Sequence, residues 1–148
     1  MIREALEKDI PSILELCGVF WKETMYTEPF DSNHTETMVN MALDHKLLAV
    51  VDIDGIVGFL AGIKAPLLGS PKASHGVELG WWINPEHRKE NLGIELIIFI
   101  EGLARNQKIK YWSMVSMESS WPEVANKIYE RLGYKKSETS WTKILWQP

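Results

Sequence analysis

The 148-residue sequence predicts a single α/β domain, of the α+β type, built around a mixed central sheet. Two observations carry this prediction. In several segments apolar residues recur at spacings of three and four, which is typical of amphipathic helices. The segments between them are short, apolar and bounded by Gly, Pro or Asp-Gly, which predicts strands and turns. The resulting order, β-α-α-β-β-β-α-β-α-β-β, covers residues 1–148 without an internal repeat.

The chain begins with a short predicted strand over residues 2–6. Asp9 then caps a first helix that continues to about Thr24, and Pro11 is tolerated in its first turn. The spacing of its apolar residues predicts the buried face, which comprises Ile10, Ile13, Leu14, Cys17, Phe20 and Trp21.

A loop over residues 26–34 separates the first helix from a second one that ends near residue 45. Strands over residues 47–53 and 56–64 follow. Asp54-Gly55 lies between them and is a strong two-residue hairpin signal. These two strands are therefore expected to pair antiparallel.

The C-terminal half predicts a strand-helix-strand crossover over residues 75–83, 91–105 and 109–117. A further helix over residues 121–132 is stopped by Gly133. Residues 134–137 and 141–146 then predict a terminal hairpin.

Charge and composition exclude several function classes. The net charge is −4 and no basic run of five residues occurs, so a nucleic-acid surface is not indicated. We find neither a leader pattern nor an 18-residue apolar run, so a cytoplasmic protein without membrane contact is expected. The single cysteine, Cys17, excludes an internal disulfide and leaves no Cys/His cluster for a metal.

Residues 78–96 predict an anion-binding site, because an apolar strand, a proline turn and a polar loop lead into an amphipathic helix. The first turn of a helix has unpaired N–H groups and partial positive charge, so it can bind phosphate. Arg88 adds a full charge, and Gly93 lets the backbone approach a ligand closely. Asn91 tolerates unusual loop dihedrals. The segment therefore predicts diphosphate binding.

Two motifs and the element order resemble the GNAT acyl-CoA N-acyltransferase superfamily over nearly the whole chain. The family's Arg/Gln-x-x-Gly-x-Gly/Ala signature matches Arg88-Lys89-Glu90-Asn91-Leu92-Gly93, with Asn91 in place of the first glycine. Its second signature matches Ala125-x-x-x-Tyr129-Glu130-Arg131-Leu132-Gly133-Tyr134. Pro122 replaces an asparagine common in the family, and Asn126 is a candidate substitute.

The resemblance implies that the sheet splays apart between the strands near 75–83 and 109–117 and that acetyl-CoA lies in the opening. Backbone groups at Trp82 and Ile83 would contact the pantetheine arm and the thioester oxygen. The pyrophosphate would face the amides of the signature loop, Lys89, Glu90, Asn91, Leu92 and Gly93. Arg88 would contribute electrostatically, and no metal is needed.

The implied reaction is acetyl transfer to a primary amine by direct attack in a ternary complex. Glu78 is the candidate general base, and strand alternation predicts that it shares a face with Gly80 and Trp82. A structural carboxylate is the alternative, and His75 is a weaker candidate base. Tyr129 matches the family's thiolate-protonating tyrosine, although it could also be an ordinary core residue.

The acceptor is expected to be a small amine, a lysine or a protein N-terminus. Tyr26, Glu28 and Phe30 lie in the loop that often shapes the acceptor site in this superfamily, although an ordinary acidic surface is the alternative. Competing functions are a non-catalytic acyl-CoA-binding module and a phosphate-binding protein of unrelated fold. Trp141 and Trp146 could mark a homodimer surface.

Overall fold

The computed structural model describes residues 1–146 and has the predicted mixed α/β architecture. Two 3-10 turns, Glu7–Asp9 and Pro85–Glu90, accompany the regular elements. These are β1 (Ile2–Glu4), α1 (Ile10–Trp21), α2 (Ser32–Asp44), β2 (Leu48–Asp52), β3 (Ile56–Leu67), β4 (Ser70–Ile83), α3 (Leu92–Asn106), β5 (Tyr111–Ser113) and α4 (Pro122–Arg131).

The five strands form one sheet in the order β1-β2-β3-β4-β5. All neighbours are antiparallel except β4 and β5, which are parallel because α3 crosses over between them. Helices α1 and α2 pack on one face of the sheet through a core that contains Ile13, Ala42 and Phe59. Helices α3 and α4 cover the other face, where Ile97 and Tyr129 are buried.

The sheet splays between β4 and β5, as predicted. Their pairing ends at Val77 and Ser113, whereas β4 continues to Ile83. The predicted strand over residues 109–117 is therefore wrong in length. A strand needs a partner for its backbone groups, and β5 loses its partner where β4 diverges.

A β-bulge at Leu79 changes the direction of the side chains along β4. Gly62 of β3 pairs with Glu78 and Ala61 pairs with Gly80, so Leu79 has no partner. Leu79 consequently packs on the α1–α2 face together with Trp82. The predicted alternation is wrong, because Glu78 points away from Gly80 and Trp82 and toward the face that carries Tyr129.

The predicted terminal hairpin is absent from the described part of the chain, since no strand follows α4 up to residue 146. β5 has three residues, so the edge on which a further strand could pair is short. The apolar side chains of this C-terminal segment are instead exposed, namely Trp141, Ile144, Leu145 and Trp146.

An ion-pair cluster joins the start of the chain to the sheet. The guanidinium of Arg3 donates to both carboxylate oxygens of Asp9, at 2.7 and 2.9 Å, and to Asp52 at 2.7 Å. Asp9 stands at the predicted cap position of α1, but its side chain accepts from Leu6 N–H instead of capping the helix. The pairing with Arg3 lowers the pKa of Asp9 below its ordinary value.

Candidate active site

The backbone of Val115 connects the two candidate catalytic side chains. Val115 follows β5, where the strand has diverged from β4. Its N–H donates to Oε2 of Glu78 at 2.8 Å, and its C=O accepts from the hydroxyl of Tyr129 at 2.5 Å. A carboxylate from β4 and a phenol from α4 therefore lie beside one residue in the opening of the sheet.

Glu78, the candidate general base, lies in an environment that favours its protonated form. Its carboxylate is buried, although the residue as a whole is partly accessible. Burial raises the pKa of Glu78 to about 7, and the hydrogen bond from Val115 acts in the opposite direction. A carboxylate with this pKa can accept a proton near neutral pH.

Tyr129 lies in an aromatic cluster on the α3–α4 face. Its ring is 6.0 Å from the ring of Trp81 and 5.7 Å from that of Tyr134. Burial raises the pKa of Tyr129 above its ordinary value, and the charges of Glu78 and Tyr134 raise it further. Tyr129 therefore keeps its proton at neutral pH.

The predicted anion site lies at the start of α3. Asn91 precedes the helix in the left-handed conformation, at φ +57°, which explains how it can replace a glycine. The carbonyl of Asn91 accepts from Ile94 and Glu95, whereas the N–H groups of Leu92 and Gly93 lie in the first turn, where helix geometry provides no partner. These two amides can bind an anion.

Gly93 also lies close to a side chain of the protein itself. A Cβ at this position would come within 3.0 Å of Cζ2 of Trp81. The indole nitrogen of Trp81 is buried without a hydrogen-bond partner among the described residues. On the side where a Cβ would stand, the group next to Gly93 is this indole.

Arg88 contacts β4 directly. Its Nε donates to the carbonyl of Ile83 at 2.8 Å, and its guanidinium lies 4.5 Å from the centre of the Trp82 ring. The N–H of Asn84 bonds to Val57 of β3, so the backbone groups of Ile83 point to the opposite, open edge of β4. Arg88 thus binds the carbonyl of Ile83, whereas the N–H of Ile83 is left for a ligand.

The loop between α1 and α2 brings together two of the three predicted acceptor residues. Tyr26 is exposed and stacks on Trp21 at 5.5 Å, and the indole of Trp21 donates to the carbonyl of Glu28 at 2.8 Å. Phe30 instead packs against the α1–α2 core. Ser119 joins this loop to the segment after β5, because its hydroxyl donates to the carbonyl of Glu23 at 2.6 Å.

Other predicted residues lie outside this constellation. Nε2 of His75 and Oγ of Ser113 are 2.7 Å apart, where β4 and β5 still pair. Asn126 is exposed on α4, and Cys17 is buried in α1. The contacts of Val115 and Ser119 could not be found from sequence, because both residues bond in ways that leave no pattern along the chain.

Two further observations on residues 1–146 concern metal binding and membrane-spanning helices. No group of three or more His, Cys, Asp or Glu side chains in this part of the chain could hold a metal ion. Its helices are all too short or too polar to cross a membrane.

The described residues thus combine a sheet that splays between β4 and β5 with a helix, α3, that begins beside the opening. The sequence profile of the acetyltransferase (GNAT) family matches residues 8–134. The chain belongs to this family and is an acetyltransferase. No curated protein matches it by sequence.

Solved structures share the fold. One is ribosomal-protein-alanine N-acetyltransferase from Brucella melitensis biovar Abortus 2308, with 16% identity, a TM-score of 0.74 and coverage of 98% of this chain and 99% of that one. Another is aminoglycoside 6′-N-acetyltransferase from Acinetobacter haemolyticus, with 16% identity, a TM-score of 0.71 and coverage of 100% and 99%. AAC(6′)-Iy, in complex with a CoA bisubstrate analogue, has 16% identity, a TM-score of 0.72 and coverage of 100% and 97%.

Proposed function

We propose that this acetyltransferase transfers an acetyl group from acetyl-CoA to a primary amine by direct attack in a ternary complex. The observation that carries the proposal is the arrangement at Val115, which holds the Glu78 carboxylate and the Tyr129 hydroxyl at the same opening. Amine acylation requires a proton acceptor for the amine and a proton donor for the departing sulfur. The two side chains can supply these two functions.

The chain's own groups fit acetyl-CoA. The first-turn amides of Leu92 and Gly93 suit the diphosphate, with Asn91 turning the backbone into position. The Ile83 N–H at the open edge of β4 suits the pantetheine arm. Arg88 orients this edge through the Ile83 carbonyl rather than by contacting phosphate. Bound acetyl-CoA supplies a thioester carbonyl that is open to attack by an amine.

Glu78 accepts the proton of the attacking amine, directly or through water. With a pKa of about 7, the carboxylate is ionised in a large fraction of molecules at neutral pH and still holds a proton well enough to remove it from the amine.

Protonation of Glu78 favours the second step. The negative charge of Glu78 contributes to the raised pKa of Tyr129. When Glu78 takes up a proton this contribution disappears, so the pKa of Tyr129 falls at the stage when its proton is needed by the sulfur. The hydroxyl must then turn from the carbonyl of Val115 toward the sulfur.

Cys17 does not serve as an acyl carrier in this proposal. It is buried in α1, and burial raises the pKa of its thiol to about 12. The thiolate that would attack a thioester is therefore scarcely populated. Direct transfer to the amine needs no such nucleophile.

The structural neighbours suggest acceptors to test. Their names include a ribosomal-protein-alanine N-acetyltransferase and an aminoglycoside 6′-N-acetyltransferase. We infer that an amino sugar or another small cationic amine is the acceptor, because glutamates predominate on the segments around Tyr26 and Ser119. A peptide N-terminus is the comparison substrate.

The test is calorimetric titration with acetyl-CoA, followed by assay of CoA release with neamine, spermidine and an alanyl peptide. We expect micromolar binding that weakens for an analogue lacking the diphosphate, and CoA release that depends on an amine. Glu78→Gln is the matched control, with binding retained and turnover reduced. Binding without turnover on any amine would contradict the proposed function.

A further inference from the structure

Trp121 adopts a backbone conformation that its own side chain and the next residue both disfavour. It lies in the left-handed region, at φ +48° and ψ +53°, where bulky residues are rare. It also precedes Pro122, and a residue before proline is biased toward extended conformations. Trp121 occupies the position before α4, yet its side chain makes no capping hydrogen bond.

The indole of Trp121 is not part of the hydrophobic core. The side chain is 71% exposed, although burial of a tryptophan would be favourable. The fold uses the Trp121 carbonyl, which accepts from Val124 at 3.1 Å and from Ala125 at 3.3 Å. Any residue could supply this carbonyl, and glycine would do so without strain. The structure therefore gives no internal reason for a tryptophan at this position.

The position of Trp121 suggests a ligand contact. It follows Ser119 by two residues, and Ser119 binds the carbonyl of Glu23 in the loop between α1 and α2. The same loop presents Tyr26, which is 53% exposed and stacked on Trp21. The Ser119–Glu23 contact thus brings together two segments that each carry an exposed aromatic ring.

The charges on these two segments favour a cation. Residues 22–31 and 114–123 carry several carboxylates and one basic side chain, Lys22. The glutamates are Glu23, Glu28, Glu118 and Glu123. An ammonium group over an indole face is attracted by the ring quadrupole, and a saturated ring can stack on the same face.

We propose that Trp121 contacts the amine acceptor and selects small cationic amines that carry a ring, such as amino sugars. This inference rests on the proposed function, for which it names a residue that selects the acceptor. Local strain persists in proteins where a functional contact requires it, and Trp121 combines strain with exposure next to the acceptor loop.

The test compares Trp121→Gly and Trp121→Phe with the wild type in steady-state kinetics on neamine, spermidine and an alanyl peptide. Wild type is expected to have a lower KM for neamine than for the two probes without an amino-sugar ring. Trp121→Gly should raise the KM for neamine about tenfold and leave the KM for acetyl-CoA unchanged. It should also unfold at a higher temperature, because glycine relieves the backbone strain. Trp121→Phe should retain most of the affinity for neamine.

Trp141→Gly is the matched control, because Trp141 is 91% exposed and lies in the C-terminal segment after α4. It should change neither KM. An unchanged KM for neamine in Trp121→Gly, a raised KM for acetyl-CoA, or a preference of the wild type for spermidine or the peptide would overturn the inference while leaving the acetyltransferase reaction intact. Failure of the wild type with every amine would refute the proposed function and this inference together.

Discussion

Glu78 and Tyr129 bind the backbone of the same residue, Val115, from two different elements of the fold. Glu78 accepts from its N–H and Tyr129 donates to its C=O. This shared contact fixes the carboxylate and the hydroxyl relative to each other without a direct hydrogen bond between them. It also couples their protonation, because the charge of Glu78 raises the pKa of Tyr129.

Tyr129→Phe tests the proposed acid. The ring keeps its contacts with Trp81 and Tyr134, whereas the proton donor is lost. We expect kcat to fall about 100-fold and the affinity for acetyl-CoA to stay within a factor of about two. Loss of the bond to Val115 should lower the free energy of unfolding by about 1 kcal/mol. Stopped-flow assays and calorimetry measure the two effects, and an unchanged kcat would remove Tyr129 from the mechanism.

Glu78→Gln tests the base through pH dependence. In the wild type, kcat/KM should rise with pH and level off above about 7, the pKa of the buried carboxylate. The variant should lose this rise and most of its activity. If its pH profile overlays that of the wild type, another group takes the proton.

Glu78→Gln should also change stability in a direction that follows from the raised pKa. The folded protein holds the proton of Glu78 more tightly than the unfolded chain, whose pKa is near 4.5, so the free energy of unfolding falls as pH rises from about 4.5 to 7. Glutamine removes this penalty. Above pH 8 the variant should be more stable than the wild type by on the order of 2 kcal/mol, and near pH 4 the difference should vanish. Urea unfolding at both pH values measures it.

Substitutions at Asn91 test the turn before α3. Asn91→Ala places an ordinary side chain at φ +57° and should cost about 1 kcal/mol of stability, with weaker acetyl-CoA binding because the first-turn amides lose their alignment. Asn91→Gly, which restores the family residue, should keep both properties. Thermal unfolding and calorimetry distinguish the two variants. Equal behaviour of alanine and glycine would show that the left-handed turn is unimportant.

Asp9→Asn tests the ion-pair cluster. Removing the charge leaves Arg3 with weaker partners and should lower the free energy of unfolding by about 2 kcal/mol at pH 7. Because Arg3 lowers the pKa of Asp9, its stabilisation is complete above the ordinary value of 3.8 and is lost as pH falls through the lower folded value. The variant should therefore lose less stability than the wild type below pH 4. Parallel acid titrations by circular dichroism would show the difference.

The sequence predicted the parts of the site that depend on local pattern. Apolar spacing and the proline turn located α3 and the amide-rich turn before it, and the tolerance of asparagine for positive φ explained Asn91. The splay of the sheet was implied by the resemblance to the GNAT superfamily. The face of Glu78 was predicted wrongly, because the bulge at Leu79 arises from pairing with β3 and has no signature within β4 itself.

Long-range contacts account for the other differences. One is the contact between Gly93 and Trp81, because the sequence does not show which side chain lies beside this glycine. The terminal hairpin failed for a related reason. The aromatic and β-branched residues at 141–146 favour a strand, but a strand forms only where an edge is available for pairing, and β5 ends at Ser113.

The unpaired Leu79 shifts the alternation of side chains along β4 by one residue, and this decides which change in length the strand can tolerate. Before the bulge, even-numbered Glu78 faces α4, and after it odd-numbered Trp81 does so. Removing Leu79 would join the pairs Gly62–Glu78 and Ala61–Gly80 into a regular ladder, and each half of the strand would keep its face. The strand could therefore lose this residue in evolution and still present Glu78 and Trp81 to α4, giving up the contact of Leu79 with the α1–α2 core.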